Sequence, residues 1–383
     1  MPQKRDPIQR VTDGRDLYDV ASWEERTPLD RFATRVHGWL AAGSRWTVVA
    51  LAVLILAAQF LIVGVAAFHN PLLGVYVFFS IVPAAVLVFS VWRMDVTMRE
   101  PLTMLVGTFV LGFLFAGFAS VLNTVLKNVV TVIPVVGMVL FFFVVVGPIE
   151  ETVKWLAVRL YAYRTERFDA VVDGAVYGAA AGLGFATIEN TIYITSQFLS
   201  ATDSATLQAA LGQALQTATL RTFAGPGHVI YTAFSGYYLG LAKFNPENRG
   251  PIVVKGLLIA AAIHATYDTV VTYMDPVLSL VFGPSLVANW GTLLFIGFVF
   301  VYDGFFLWIL YRKLARYRDT YRDLDASGVG DAAETDTEDD AAETDTEADA
   351  AETNESDDPI DANESDDPFA DPESADESVA DDS

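Results

Sequence analysis

Hydrophobic positions along this chain fall into long runs separated by short polar segments. Runs near residues 46–68, 72–92, 101–122, 129–160, 171–198, 219–242, 251–272 and 289–311 match the roughly 20 residues that carry an α-helix across a bilayer. The pattern predicts an all-α fold, a polytopic transmembrane bundle of about eight spans over residues 46–312. Two stretches complicate the count. Residues 129–160 are long enough for about 48 Å of helix at 1.5 Å per residue, with Pro134 and Gly147-Pro148 as places to kink or break. Residues 276–287, around Gly283-Pro284, could form a re-entrant piece. A further full crossing at either place would reverse the charge asymmetry described below.

Polar positions frame the bundle. Thr27-Pro28-Leu29-Asp30 reads as a helix start, with Thr27 as N-cap, Pro28 in the first turn and Asp30 near the positive end. Leu29, Phe32, Val36, Trp39 and Leu40 gather on one face with Arg31, Arg35 and His37 around it, which predicts an interfacial helix within residues 1–45. No short apolar segment lies near Met1, so the first span is expected to insert as an uncleaved anchor. Beyond the last run, residues 313–323 are a basic stub, and from Asp325 a nine-residue period repeats Asp-Ala-Ala-Glu-Thr at 331, 340 and 349. That tail has almost nothing apolar to bury and is expected to be disordered.

Charge then fixes an orientation. The net charge of −23 belongs to the tail: residues 324–383 hold 25 Asp/Glu and no Lys or Arg, which leaves 22 acids against 24 bases elsewhere. Such acidity resembles that of salt-adapted prokaryotic proteins. Within an eight-span bundle, fifteen Lys/Arg fall in the segments 26–45, 93–100, 161–170, 243–250 and 312–322, and only Lys127 falls in the alternate segments. By the positive-inside rule both termini are expected in the cytoplasm, in a multi-pass cell-membrane protein. The chain has no cysteine, which excludes disulfides, thiolate metal sites and a Cys nucleophile.

The candidate chemistry is the set of ionisable residues inside the runs, where such groups are costly and read as functional by default. Glu150 and Glu151 lie four and three residues before Lys154, so either can pair with it and one is left over. Gly174, Gly178 and Gly182 form a stripe that continues to Phe185, Glu189 and Tyr193; the small residues predict close packing that holds Glu189 inside the bundle. Arg221 and His228 share a face, as do His264 and Asp268, a spacing at which a carboxylate can orient an imidazole. For His228 alone a structural hydrogen bond outranks chemistry. Asp303 has no evident partner in the sequence. Counted from the cytoplasmic side, Glu150 and His264 fall at similar depth, and Glu189 is the outlier.

Glu150-Glu151-x-x-Lys154, Phe185-x-x-x-Glu189-x-x-x-Tyr193 and His264-x-x-x-Asp268, in this order along the chain, resemble the PrsW family of intramembrane proteases, relatives of the CAAX-processing and Abi membrane peptidases. The resemblance covers about residues 100–312. It implies an active site of Glu150, Glu151, Glu189, His264 and Asp268, with Lys154, Tyr193, His228 and Arg221 in support. The CAAX-processing branch has histidine at the Glu189 position and asparagine at Asp268, so its mechanism does not transfer unchanged. The implied reaction is peptide-bond hydrolysis in or beside the membrane. Glu150 or Glu151 would be the base, His264 would stabilise the oxyanion or protonate the leaving amine, Asp268 would orient it, and Lys154 would balance charge. Whether a metal takes part stays open: Glu189, His264, Asp268 and one Glu of the pair could make an N/O site suited to zinc, but there is no His-Glu-x-x-His motif. The implied partners are a membrane-tethered protein substrate and the lipid bilayer, with no nucleic acid. Two other classes fit the buried acids: an ion- or proton-coupled carrier, and a non-catalytic membrane scaffold.

Overall fold

The computed structural model describes residues 6–8, 16–41, 70–95, 100–134, 136–202 and 206–326. The chain divides into two compact units, 1–333 and 334–383. The second unit, the acidic repeats and the expected first span at 46–68 lie outside the described residues. Among the described residues there are eight helices and no strand. They are α1 (Pro28–Ala41), α2 (Pro71–Arg93), α3 (Leu102–Val130), α4 (Val136–Leu140 and Gly147–Leu160, joined by a π-helical turn at Phe141–Val146), α5 (Val171–Thr202), α6 (Leu207–Lys243), α7 (Arg249–Phe282) and α8 (Pro284–Ala326). Six of these, α2–α5, α7 and α8, are long and apolar enough to cross a membrane, so this is a multi-pass, all-α membrane protein.

The helices differ in what surrounds them. In its most apolar stretch α5 is 89% buried, against 17% for α2 and 22% for α8. The first is therefore the hub, and the other two form the periphery. Phe78, Phe79 and Val86 of α2 and Phe300, Val301 and Trp308 of α8 stay exposed, a band of apolar surface suited to acyl chains. The hub packs against α6 through its glycine stripe. A Cβ on Gly174 would collide with Gly236 O, and one on Gly178 with Thr232 O. At Gly182 it would lie 2.5 Å from His228 O. Only hydrogen at these positions lets the two backbones touch.

At one end of the bundle the N-terminal segment ties several helices together. Asp6 accepts hydrogen bonds from Val171 N (3.1 Å) and Tyr317 Oη (3.0 Å). Asp19 pairs with Lys255 (3.1 Å) and Lys313 (2.6 Å), and Lys255 also pairs with Asp30 (2.8 Å). The cap of α1 forms as its sequence predicts: Thr27 Oγ1 accepts from Asp30 N (3.1 Å) while Asp30 Oδ2 accepts from Thr27 N (2.6 Å). Burial pushes the Asp30 carboxyl up, but Lys255, Tyr18 and Thr27 more than offset this and hold it well below the usual carboxylate range.

Three element boundaries differ from the hydropathy pattern. Helix α3 runs on to Val130, and α6 begins at Leu207, so much of the expected loop at 199–218 is helical. Residues 276–287 do not form a separate segment: α7 continues through Pro276 to Phe282, and the single residue Gly283 turns the chain into α8. Its φ of 89° lies in the left-handed region, and Pro284 then starts the next helix.

Candidate active site

The pivot of the site is the junction inside α4. Pro148 has no N–H to offer the carbonyl four residues earlier. The turn before it widens instead, and Gly147 N–H bonds to Phe142 O, five residues back. Gly147 also lies against α7, where a Cβ would sit 2.6 Å from Ala261 O. That close approach brings the first α-helical turn after the π segment, with Glu150 and Glu151, against the turn of α7 that carries His264.

The two glutamates then face different partners. Glu151 is fully buried. Its Oε1 is 2.7 Å from Lys154 Nζ and 3.0 Å from His264 Nδ1, and its Oε2 accepts from Thr232 Oγ1 at 3.3 Å. Glu150 takes a hydrogen bond on Oε1 from Asn123 Nδ2 (2.9 Å). Its Oε2 has no hydrogen-bond partner among the described residues; it stands 3.6 Å from His264 Nε2 and 3.8 Å from Lys154 Nζ. Lys154 lies over the Phe185 ring, 4.1 Å from its centroid. The carboxylate left over from the ion pair is therefore that of Glu150.

His228 sits at the centre. Its Nδ1 is 3.1 Å from Lys154 Nζ, its Nε2 is 2.6 Å from Glu189 Oε2, and its ring meets that of His264 edge-on at 5.2 Å. Arg221 donates to Glu189 Oε2 (2.7 Å) and to Asn190 Oδ1 (2.8 Å) and lies over Tyr193. Asn190 in turn donates to Ser80 Oγ of α2 (2.9 Å). Glu189, the outlier in the count along the helices, is thus joined to the Glu150/Glu151/Lys154 cluster through His228. Asp268 stands 3.6 Å from His264 Nε2, outside hydrogen-bond range; the carboxylate that orients the imidazole is Glu151. Asp303 accepts from Tyr231 Oη at 2.8 Å, and the Tyr231 ring packs beside His264.

A cavity of about 690 Å³ opens onto this cluster, lined by Glu150, Glu189, His228 and Asp268 among others, while Glu151 is absent from its wall. Asn123, Thr232 and Tyr231 were not legible as site residues in the sequence. Asn123 falls just past the apolar run 101–122, and only the continuation of α3 to Val130 carries it into the bundle.

Ligand atoms of Glu150, His228 and His264 lie within 4.8 Å of one another, all buried, so these residues could hold a metal ion. This set differs from the expected Glu189, His264 and Asp268. The donors fit. Glu150 Oε2 is a buried oxygen without a hydrogen-bond donor, and with Nδ1–H given to Glu151, neutral His264 turns an Nε2 lone pair toward it. His228 has both ring nitrogens engaged and becomes a ligand only by releasing one of them.

The family profile described as "PrsW family intramembrane metalloprotease" matches residues 100–304. Proteins named "Protease PrsW" are similar in sequence. The one from Clostridioides difficile is 30% identical over 49% of this chain and 76% of the relative. The one from Bacillus subtilis is 28% identical over 51% of this chain and 82% of the relative. The one from Halalkalibacterium halodurans is 29% identical over 39% of this chain; that match spans 62% of the relative's own length. No solved structure matches.

Proposed function

This chain belongs to the PrsW family of intramembrane metalloproteases, and from that premise we propose that it hydrolyses a peptide bond of a membrane-associated protein, with Glu150 as the base. One observation carries the assignment: of two adjacent glutamates, only Glu150 faces the cavity and keeps a carboxylate oxygen free of hydrogen-bond donors. Asn123 holds the other oxygen, which leaves the free one to accept a proton. Glu150 takes the proton of a water molecule as it attacks the scissile carbonyl. Lys154 and Glu151 form the buried ion pair that orients His264. A second proton on His264 Nε2 would let it stabilise the oxyanion and then protonate the leaving amine. Glu189, clamped by Arg221, steadies His228. In a metal-bound form, Glu150, His264 and His228 would instead be ligands of a zinc-class ion that supplies Lewis acidity and a more acidic water, and His264 would then not serve as the acid.

The cavity wall includes Lys127 near the C-terminal end of α3, Gln216 in the first part of α6 and Asp275 late in α7. In the eight-span topology with both termini cytoplasmic, these positions belong to the external side, opposite the basic segments. The substrate bond therefore enters from the external half of the bilayer. The match to a protease family gives the carrier and scaffold readings no support.

The test is cleavage of single-span membrane peptides by the purified protein in proteoliposomes, before and after chelation. Replacing a general base typically costs about 10²–10⁴-fold in rate, and Glu150→Gln should fall in that range while the helical signal stays intact. Wild-type activity in that variant would refute the proposal, and activity insensitive to chelation would remove the metal alone.

A further inference from the structure

A second group of buried acids lies near the start of α5, remote from the catalytic cluster. Asp173 precedes Glu189 by 16 residues, about 24 Å of helix at 1.5 Å per residue. Asp95 just beyond the end of α2, Glu100 just ahead of α3 and Asp173 in the first turn of α5 are all buried, and each offers an oxygen within 4.8 Å of the others. We propose that these three carboxylates bind a hard divalent cation of the Mg²⁺/Mn²⁺ class, which staples the end of α2 and the start of α3 to the head of the hub helix. The proposal does not depend on the catalytic reading.

What points to a ligand is the state of the individual oxygens. Tyr177 Oη donates to Glu100 Oε2. The backbone N–H groups of Asp169 (2.8 Å) and Ala170 (2.7 Å) donate to Asp173 Oδ2. Trp92 Nε1 fixes the Glu100 backbone carbonyl at 3.0 Å. Glu100 and Asp173 are thus each anchored by one oxygen, and the other is left over: Glu100 Oε1 and Asp173 Oδ1 are buried and have no hydrogen-bond partner among the described residues. Burying anionic oxygens is costly, and like carboxylates at this range disfavour each other's ionised form. A divalent cation offsets both effects at once.

The donor set selects the class of ion. All three ligands are carboxylate oxygens, which suit Mg²⁺ or Mn²⁺, whereas the catalytic cluster offers imidazole nitrogen as well. Three side chains leave the remaining octahedral positions to water, as Mg²⁺ prefers. Metal–oxygen bonds of about 2.1 Å set cis oxygens about 3.0 Å and trans oxygens about 4.2 Å apart, so the three oxygens, within 4.8 Å of one another, would draw together on binding.

The experiment uses the full-length protein in detergent, stripped with chelator. Thermal unfolding is followed against added Mg²⁺ and Mn²⁺, and Tb³⁺ emission is excited through Trp92 and Tyr177. The expected result is a saturable rise in Tm of about 2–4 °C or more, with sensitised Tb³⁺ emission. Both should persist in His228→Ala plus His264→Ala, which disables the catalytic cluster, and both should vanish in Glu100→Gln. Asp95→Asn serves if Glu100→Gln does not fold, because Asp173→Asn would also remove contacts at the head of α5. No cation-dependent shift in the wild type overturns the proposal. So does a response that survives Glu100→Gln, or one that is lost with the two histidines.

Discussion

Glu150 and Glu151 are chemically identical neighbours that the fold treats in opposite ways. On a helix surface both can reach Lys154, so spacing alone leaves the pairing open. The pairing is decided by residues from other helices: His264 and Thr232 take up Glu151, and Asn123 takes up one oxygen of Glu150. The two variants should therefore fail differently. Glu151→Gln leaves Lys154 buried with its close partner gone, and breaking a buried pair from one side typically costs about 3–5 kcal/mol; a marked fall in Tm should accompany its loss of activity. Glu150→Gln should lose turnover with little change in Tm. Thermal unfolding read beside kcat separates them. Asn123→Ala removes a hydrogen bond to a charged group, worth about 1.5–3 kcal/mol, and should lower kcat about tenfold or more without abolishing it. His228 shows the limit of reading one residue at a time: alone on its helix face it looked structural, yet its ring joins Lys154 to Glu189.

At the scale of elements, the glycine stripe of α5 was legible as packing because small residues at a spacing of four have one physical consequence in a helix pair. Gly182→Ala would drive a methyl into His228 O. Overpacking of this kind costs about 1–3 kcal/mol, so both Tm and activity should fall, since the backbone that moves carries His228. Asp30 offers a pH test on α1. Its carboxyl is held below its usual value in the fold, so its contribution is full above the unfolded pKa near 3.9 and is lost as pH falls below it. Tm should fall on acidification through that range, and Asp30→Asn should start from a lower Tm at neutral pH and lose less of it. The π-helical turn at Phe141–Val146 was not legible beyond a place to kink. Proline and glycine mark where a helix is perturbed, and what it packs against decides whether it breaks or widens.

For the whole molecule, the distribution of Lys and Arg makes a prediction that the absence of native cysteine renders clean to test. Single cysteines at Thr165 and Asn245 should react with an impermeant thiol reagent only from the cytoplasmic side, and one at Asp275 only from outside. The opposite pattern would invert the topology. The family match ends at residue 304, well before the acidic repeats of residues 334–383. Their removal should leave Tm and peptidase activity unchanged, measured on the truncated protein in the same liposomes.

The sequence by itself determined the class of the molecule, an all-α membrane protein, and the spacing of its acids and histidines. Those properties depend on local periodicity and on the cost of charge in a bilayer, and both can be read along a single helix. Only the tertiary structure decided which glutamate is spare, which carboxylate orients His264, that His228 is central and that Asn123 belongs to the site. Those choices depend on contacts between helices distant in sequence, set where Gly147 lets α4 touch α7 and where Gly182 lets α5 touch α6.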